Sequence, residues 1–293
     1  MLNNYLGNAS SIERLRSWVN SGASTSVILK GMKGLMLRNI ADDLAKEILK
    51  AEKLATNPDY HVIEPDDKGK IGVEDASEIV RIASLSPVSG KHIIIIDSMD
   101  KMTVQGQNKL LKTIEDNENV VVLGIAYGDG ILDTIKSRVL YLEFKPLTKD
   151  EFFEYYKGEE KELAYALSMG CPEGLTDEMV SYYKPIVESI SLGEEKELLK
   201  HLSLYKEKDD KAFYSSRKNE ALNLLNILEY SYMDVLRYIV LDEVGEICKP
   251  QAVYNKDQLT GKIELIEKEK SRIGGITYTK DDFFLFIVKL ISI

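Results

Sequence analysis

The residues best suited to chemistry fall at two places in the first hundred positions. One is KHIIIIDSMD, residues 91–100. Four isoleucines, Ile93 to Ile96, end in Asp97, and Asp100 follows three residues later. A short β-branched run bounded by Gly90 predicts a strand buried on both faces, as in a parallel sheet. An acid at the carboxyl end of such a strand lies in the crevice where α/β sheets bind ligands. In a P-loop nucleotidase that acid holds Mg²⁺, and a nearby acid polarises water. Ser98 follows Asp97 here, so the metal-side acid is present and the water-activating one is missing. On residues alone, the reading favoured for Asp97 and Asp100 is that they cap the next helix or order the loop, ahead of metal binding.

The other place is residues 26–49. SVILK, residues 26–30, reads as a short buried strand, GMKG (31–34) as a turn, and Ile40, Leu44, Ile48 and Leu49 as one face of a helix. Strand, glycine-rich turn and helix is the setting a phosphate loop needs. The pattern G-x-x-x-x-G-K-(S/T) nevertheless fails. Counted from Gly31, Met36 stands at the second glycine, Leu37 at the lysine and Arg38 at the hydroxyl residue. Gly31 and Gly34 remain as a vestige. The Gly-Lys pairs at Gly69, Gly90 and Gly261 lack a glycine five residues earlier. The chain therefore has no working phosphate loop, and no cofactor, ATP included, is expected to bind it tightly. An ordinary βα turn remains the alternative for this stretch taken by itself.

Bulk properties narrow the field. A chain of 293 residues suggests two domains at roughly 150 residues each. Its 44% hydrophobic and 29% charged content is that of a soluble globular protein. With a net charge of −10, it does not wrap DNA by itself, since phosphate binding needs clustered lysine and arginine. Cys171 and Cys248 are the two cysteines. They are far apart, with no CxxC pair, so a zinc ribbon is excluded and a disulfide framework is not expected. The start, MLNNYLGNAS, has neither the basic nor the apolar region of a secretory signal. No apolar run approaches the ~20 residues of a membrane span. A cytoplasmic location is expected.

Read in order, the first 146 residues alternate strands and helices. Residues 10–19 form a helix capped by Ser10 or Ser11, 60–63 a second strand and 73–85 a helix. After the isoleucine strand come a helix over 107–115, a strand over 119–126, a helical turn over 132–137 and a last strand over 138–144. This order predicts an α/β domain with a parallel sheet and helices on both faces. Beyond Pro146 only helices are expected: 149–156, 160–169, a long one over 219–244 and a final one over 280–293. The division expected is an α/β core over 1–146, a helical lid over 147–184 and an all-α collar over 185–293. Phe283, Phe284, Phe286, Ile287 and Leu290 make the final helix apolar enough to require burial, more simply within the chain than against another subunit. The charge runs at 159–162, 194–197 and 206–211 read as solvated helix ends and linkers.

Three motifs in this order resemble one family. QNKLLKTIE, residues 107–115, is similar to the QNALLKTLE helix of the AAA+ clamp-loader group, and most of all to that of bacterial DNA polymerase III delta-prime subunits. LDTIKSR, residues 132–138, is similar to the family's L-L-x-T-I-x-S-R-C. GNASSIERL, residues 7–15, is similar to the segment before the family's P-loop strand, and MGCPEG, residues 169–174, echoes a lid segment. The likeness is strong over 1–146, fair to about 184 and topological beyond. Val139 departs from the family's cysteine. IAYG, residues 125–128, lacks the polar sensor. Residues 51–60 carry no cysteine for the zinc module that many bacterial members have.

The resemblance implies an AAA+ P-loop-type domain, a lid and a collar in a hetero-oligomeric ring. Such rings bind ATP between neighbours, one subunit giving the phosphate loop and the next an arginine. This chain has lost its own chemistry at Leu37, Arg38 and Ser98 but keeps Ser137 and Arg138. The resemblance therefore assigns Arg138 as an arginine finger acting in trans, with Ser137 beside it. Read alone, Arg138 is a surface arginine paired with an acid. The implied partners are the motor (gamma/tau) and clamp-opening (delta) subunits, with the sliding clamp and primed DNA reached through the complex. Two other readings stay open: a weakly active ATPase using Lys33 or Arg38, and a scaffold subunit of another replication or repair complex.

Overall fold

A computed structural model of the chain describes residues 5–66, 69–194, 198, 217–248, 250–273 and 280–293. The charge run at 206–211 and most of that at 194–197 lie outside these. The chain divides into two compact units, Met1–Tyr155 with Gly170–Glu173, and Tyr156–Met169 with Gly174–Ile293. The first contains α1 (Ala9–Asn20), β1 (Val27–Lys30), α2 (Leu37–Leu49), β2 (Tyr60–Ile63), α3 (Val73–Ala83) and β3 (His92–Ile96). A 3-10 turn at Met99–Lys101 leads to α4 (Val104–Asp116), β4 (Val120–Ala126), α5 (Asp133–Lys136), β5 (Leu140–Glu143) and α6 (Lys149–Tyr155).

The five strands form one sheet in the order β2-β3-β4-β1-β5, with every pairing parallel. All of His92–Ile96 is buried. Because strand side chains alternate between faces, Ile93 and Ile95 enter one core layer with Leu15, Trp18, Leu37, Ile40 and Leu44. Ile94 and Ile96 enter the other with Ile79, Ile82 and Leu110. Burying each such isoleucine stabilises by roughly 1.5–3 kcal/mol over leaving it exposed, which fixes the strand between its helices. The sheet thus brings the carboxyl ends of β1 and β3 to the same edge, with β4 between them.

One local expectation is corrected. Helix α1 is not capped by Ser10 or Ser11, both of which lie inside it. Asn8 is the cap, in the left-handed region at φ 48 and without a side-chain capping bond. Its side chain instead brackets Lys145, donating to the carbonyl at 2.9 Å and accepting from the amide at 2.8 Å. This ties the start of the domain to the end of β5, while the Ser11 hydroxyl donates to Glu143 O.

The second unit contains α7 (Lys161–Ser168), α8 (Asp177–Leu192), α9 (Arg217–Leu241), α10 (Lys256–Ile273) and α11 (Lys280–Ser292). Helices α8 and α10 were not singled out in the sequence. The loop after α9 is held by buried Asp234, which accepts from Ile247 N at 2.7 Å and Cys248 N at 3.2 Å. The final helix is half of what its composition suggests. Phe283, Phe286, Ile287 and Leu290 are buried, but Phe284, Leu285 and Val288 are exposed, so Phe284 does not join the core.

Candidate functional site

The turn between β1 and α2 carries two residues in the left-handed region, Gly34 (φ 90) and Met36 (φ 55). Met36, at the second-glycine position, therefore takes a conformation that favours glycine. A Cβ on Gly34 would come within 2.9 Å of Cys171 Cβ, and Glu173 N donates to Gly34 O at 3.0 Å. The segment 170–173 closes over the turn. Met36 N, at the amino end of α2, donates to the Glu173 carboxylate at 3.2 Å. Unpaired amides and the helix dipole make such an end favourable for an anion. Beside it, Tyr5, Gly7, Asn8, Leu35, Met36 and Phe144 line a cavity of about 20 Å³, room for about one water.

Position 37, where a lysine would serve, is a core leucine, 1% exposed. Position 38, where a hydroxyl would hold Mg²⁺, is an arginine surrounded by acids. Arg38 Nε lies 3.2 Å from Asp42, and Nη1 lies 3.1 Å from Glu64 and 3.5 Å from Asp97. Nη2 reaches Tyr60 Oη at 3.5 Å, and that phenol donates to Asp42 at 2.7 Å. Burial alone would make the guanidinium easier to deprotonate, but Asp42, Glu64 and Tyr60 outweigh it and hold the proton more firmly. Burial, then Asp42, pushes the Tyr60 phenol up to about 12. Burial also raises the Tyr127 phenol, reinforced by Asp97 and Glu173. Lys33 stands over the Tyr127 ring, 5.5 Å from its centroid.

The two acids separate. Asp97 faces Arg38 and accepts from its neighbour Ser98 Oγ at 3.3 Å. Asp100 points elsewhere: its buried carboxylate accepts from Tyr127 N at 2.9 Å and orders the loop after β4. Among the described residues, no group of three histidine, cysteine, aspartate or glutamate side chains is placed to hold a metal. Cys171 and Cys248 are both buried and unbridged, and no described helix is long and apolar enough to cross a membrane.

Arg138 follows α5 at the surface. Its Nε donates to Glu115, and Nη1 donates to Thr134 O at 2.9 Å and Ser137 Oγ at 3.2 Å. The side chain is 37% exposed and that of Glu115 43%. The guanidinium is therefore not in the core. The surface pairing with an acid expected from the residues alone is present, in a partly exposed form. Ser137 donates its own hydroxyl to Thr134 O and makes a shelf for the guanidinium.

The family profile described as DNA polymerase III, delta subunit, matches residues 7–148. The chain is 31% identical over 87 residues to the DNA polymerase III subunit delta' of Pseudomonas aeruginosa, covering 28% of this chain and 26% of that one. It is 27% identical over 183 residues to a replication factor C small subunit of Methanoculleus marisnigri, covering 61% and 54%. With DNA polymerase III subunit gamma of Buchnera aphidicola it shares 27% over 161 residues, covering 52% and 45%. Over residues 7–148 the chain is similar to clamp-loader subunits. It spans about half the length of the curated relatives first matched, 54%, 48% and 45% of them. The fold is similar to that of a DNA polymerase III gamma subunit-related protein of Thermotoga maritima, with a TM-score of 0.54 over 95% of this chain and 98% of that one, at 16% identity.

In the first unit the structure brings Gly34, Arg38 and Asp97 to one edge of the sheet and leaves Asp100 and Arg138 out of that cluster. Gly31 closes the end of β1, and a Cβ there would lie 3.0 Å from Phe144 O. Two residues of the site were missed in sequence. Glu173 carries no local signal for its place on Met36 N, being 137 residues away. Gln107, 1% exposed, opens the clamp-loader helix motif. Its Nε2 donates to Gly130 O at 2.7 Å and Met102 O at 3.1 Å, and its Oε1 accepts from Leu132 N at 2.9 Å. That set pins the start of the segment that presents Arg138, and the motif was the signal that could have found it.

Proposed function

We propose that this chain is a non-hydrolysing, delta-prime-like subunit of a DNA polymerase III clamp loader. It would help place the sliding clamp on primed DNA and lend Arg138 to the ATP site of a neighbouring motor subunit. The observation that carries the reading is Arg38, whose guanidinium sits against Asp97 and Glu64 where an active subunit would hold Mg²⁺. A subunit so occupied has no place for its own metal, and Leu37 supplies no charge for a phosphate. Arg138 meanwhile is at the surface, held by Glu115 and its own helical turn, in a form that an incoming triphosphate could draw away. An arginine so placed stabilises the charge of a transferring phosphoryl group. The helical carboxyl-terminal region would join a collar with gamma/tau and delta subunits.

The test is reconstitution. The isolated chain turns over no ATP, and mixed with motor and clamp-opening subunits it copurifies with them and raises DNA- and clamp-stimulated hydrolysis. Hydrolysis by the isolated chain would instead favour a weak ATPase. Indifference of ring assembly to the chain would favour a scaffold of another complex.

A further inference from the structure

The disabled nucleotide site is tied off by charges of both signs supplied by the chain itself. We propose that Arg38 and Glu173 form an internal latch, Arg38 standing in for the divalent cation and Glu173 for the phosphate, so that the closed turn is held without nucleotide. The inference rests on reading residues 31–38 as a disabled phosphate loop, and it is independent of Arg138.

The geometry supports both halves. A divalent cation at this edge of the sheet would sit between the helix α2 residue at position 38 and the acid ending β3. The Arg38 guanidinium spans that gap, 3.5 Å from Asp97 and 3.1 Å from Glu64, with Asp42 at 3.2 Å from Nε. An anion on the phosphate loop would accept from the amides opening α2. The Glu173 carboxylate accepts from Met36 N at 3.2 Å, and Glu173 N donates back to Gly34 O at 3.0 Å. Two reciprocal bonds therefore fasten 170–173 to 34–36. Ordinarily a nucleotide and its metal would bridge these parts and be lost on hydrolysis or release. Here both counter-charges are covalently part of the chain, so closure does not follow the nucleotide state.

The experiment follows amide exchange at Met36 and Glu173, with thermal melting, on the full chain. In the wild-type protein Mg²⁺ with ATP leaves both readouts unchanged, and a clear rise in melting temperature overturns the latch. Glu173→Gln, an exposed change that leaves the fold intact, removes the internal anion. Exchange at Met36 and Glu173 rises about tenfold, and millimolar inorganic pyrophosphate reverses it in the variant but not in the wild type. Unchanged exchange in E173Q, or no reversal by pyrophosphate, overturns the anion half. Arg38→Met keeps the stem volume and leaves Asp42, Glu64 and Asp97 without their cation, and Mg²⁺ alone then raises the melting temperature of R38M and not of the wild type. A variant equally indifferent to Mg²⁺ overturns the cation half. Failure of these arms leaves the Arg138 assay untouched, and failure of that assay leaves these untouched.

Discussion

Replacing Arg138 with alanine separates a structural arginine from one that acts on a neighbour, because the two roles predict effects of different size. In this chain the guanidinium bonds Glu115, Thr134 O and Ser137 Oγ, and both members of the ion pair are more than a third exposed. Solvent screens such a pair to about 0.2–1 kcal/mol. The melting temperature of the R138A chain should then fall by no more than about 2–4 °C. An arginine that stabilises phosphoryl transfer in trans is worth 10³ to 10⁵ in rate for related enzymes, or about 4–7 kcal/mol of barrier. The assay is steady-state ATP hydrolysis by the reconstituted complex with clamp and primed DNA, beside thermal melting of the free chain. Stimulated hydrolysis at the site facing this chain should be lost while the melting curve barely moves. Glu115→Gln, which removes the competing carboxylate, should not lower the rate. Hydrolysis by the R138A complex within twofold of wild type would refute the reasoning. So would a drop in melting temperature above about 10 °C, which would make Arg138 a structural residue.

Other perturbations follow from particular contacts. Gln107→Ala leaves Met102 O, Gly130 O and Leu132 N without their partner, and denaturant unfolding should register about 2–4 kcal/mol lost. Gly34→Ala places a Cβ at φ 90 and within 2.9 Å of Cys171 Cβ, and should cost about 1–3 kcal/mol, read the same way. For pH, burial and then neighbouring His92 lower the His61 imidazole pKa, against Asp59 and Glu78 that raise it and Arg81 that lowers it further. A depressed value means that the unfolded chain protonates first as pH falls below about 6.5. Stability should be fullest above that pH and decline below it. In His61→Asn the decline should be shallower, and an identical pH profile would remove His61 as its source.

Much of the α/β unit could be read from local pattern. Ile93 to Ile96 announce a doubly buried strand because a parallel sheet covered on both faces needs no alternation, and the apolar spacing of α2 and α4 announces their inner faces. That residues 31–38 depart from the phosphate-loop pattern was equally legible, since the pattern depends on residue types at fixed offsets. The contacts made there were not. Arg38 finds Glu64 26 positions away and Asp97 59 away, and Glu173 reaches Met36 across 137. Only the folded sheet brings them together. The roles of Asp97 and Asp100 also diverge by direction alone, one toward α2 and one toward the loop after β4, which three residues of spacing do not reveal. In the second unit, α8 and α10 were overlooked because α8 has Pro185 inside it and α10 is rich in charge, so neither shows a clean apolar stripe.

The arginine at 38 also bears on the direction in which such a subunit can evolve. Magnesium is borrowed from solution and can be chelated away or exchanged, whereas a guanidinium is inherited. On the proposed non-hydrolysing reading, a return to hydrolysis would have to evict it, and a lysine arriving first at 37 would meet both that cation and a site where Leu37 is 1% exposed, an unfavourable place for an unpaired ammonium. On that reading each single step back would cost stability before any turnover is regained, and the proposed loss of hydrolysis would behave as a ratchet.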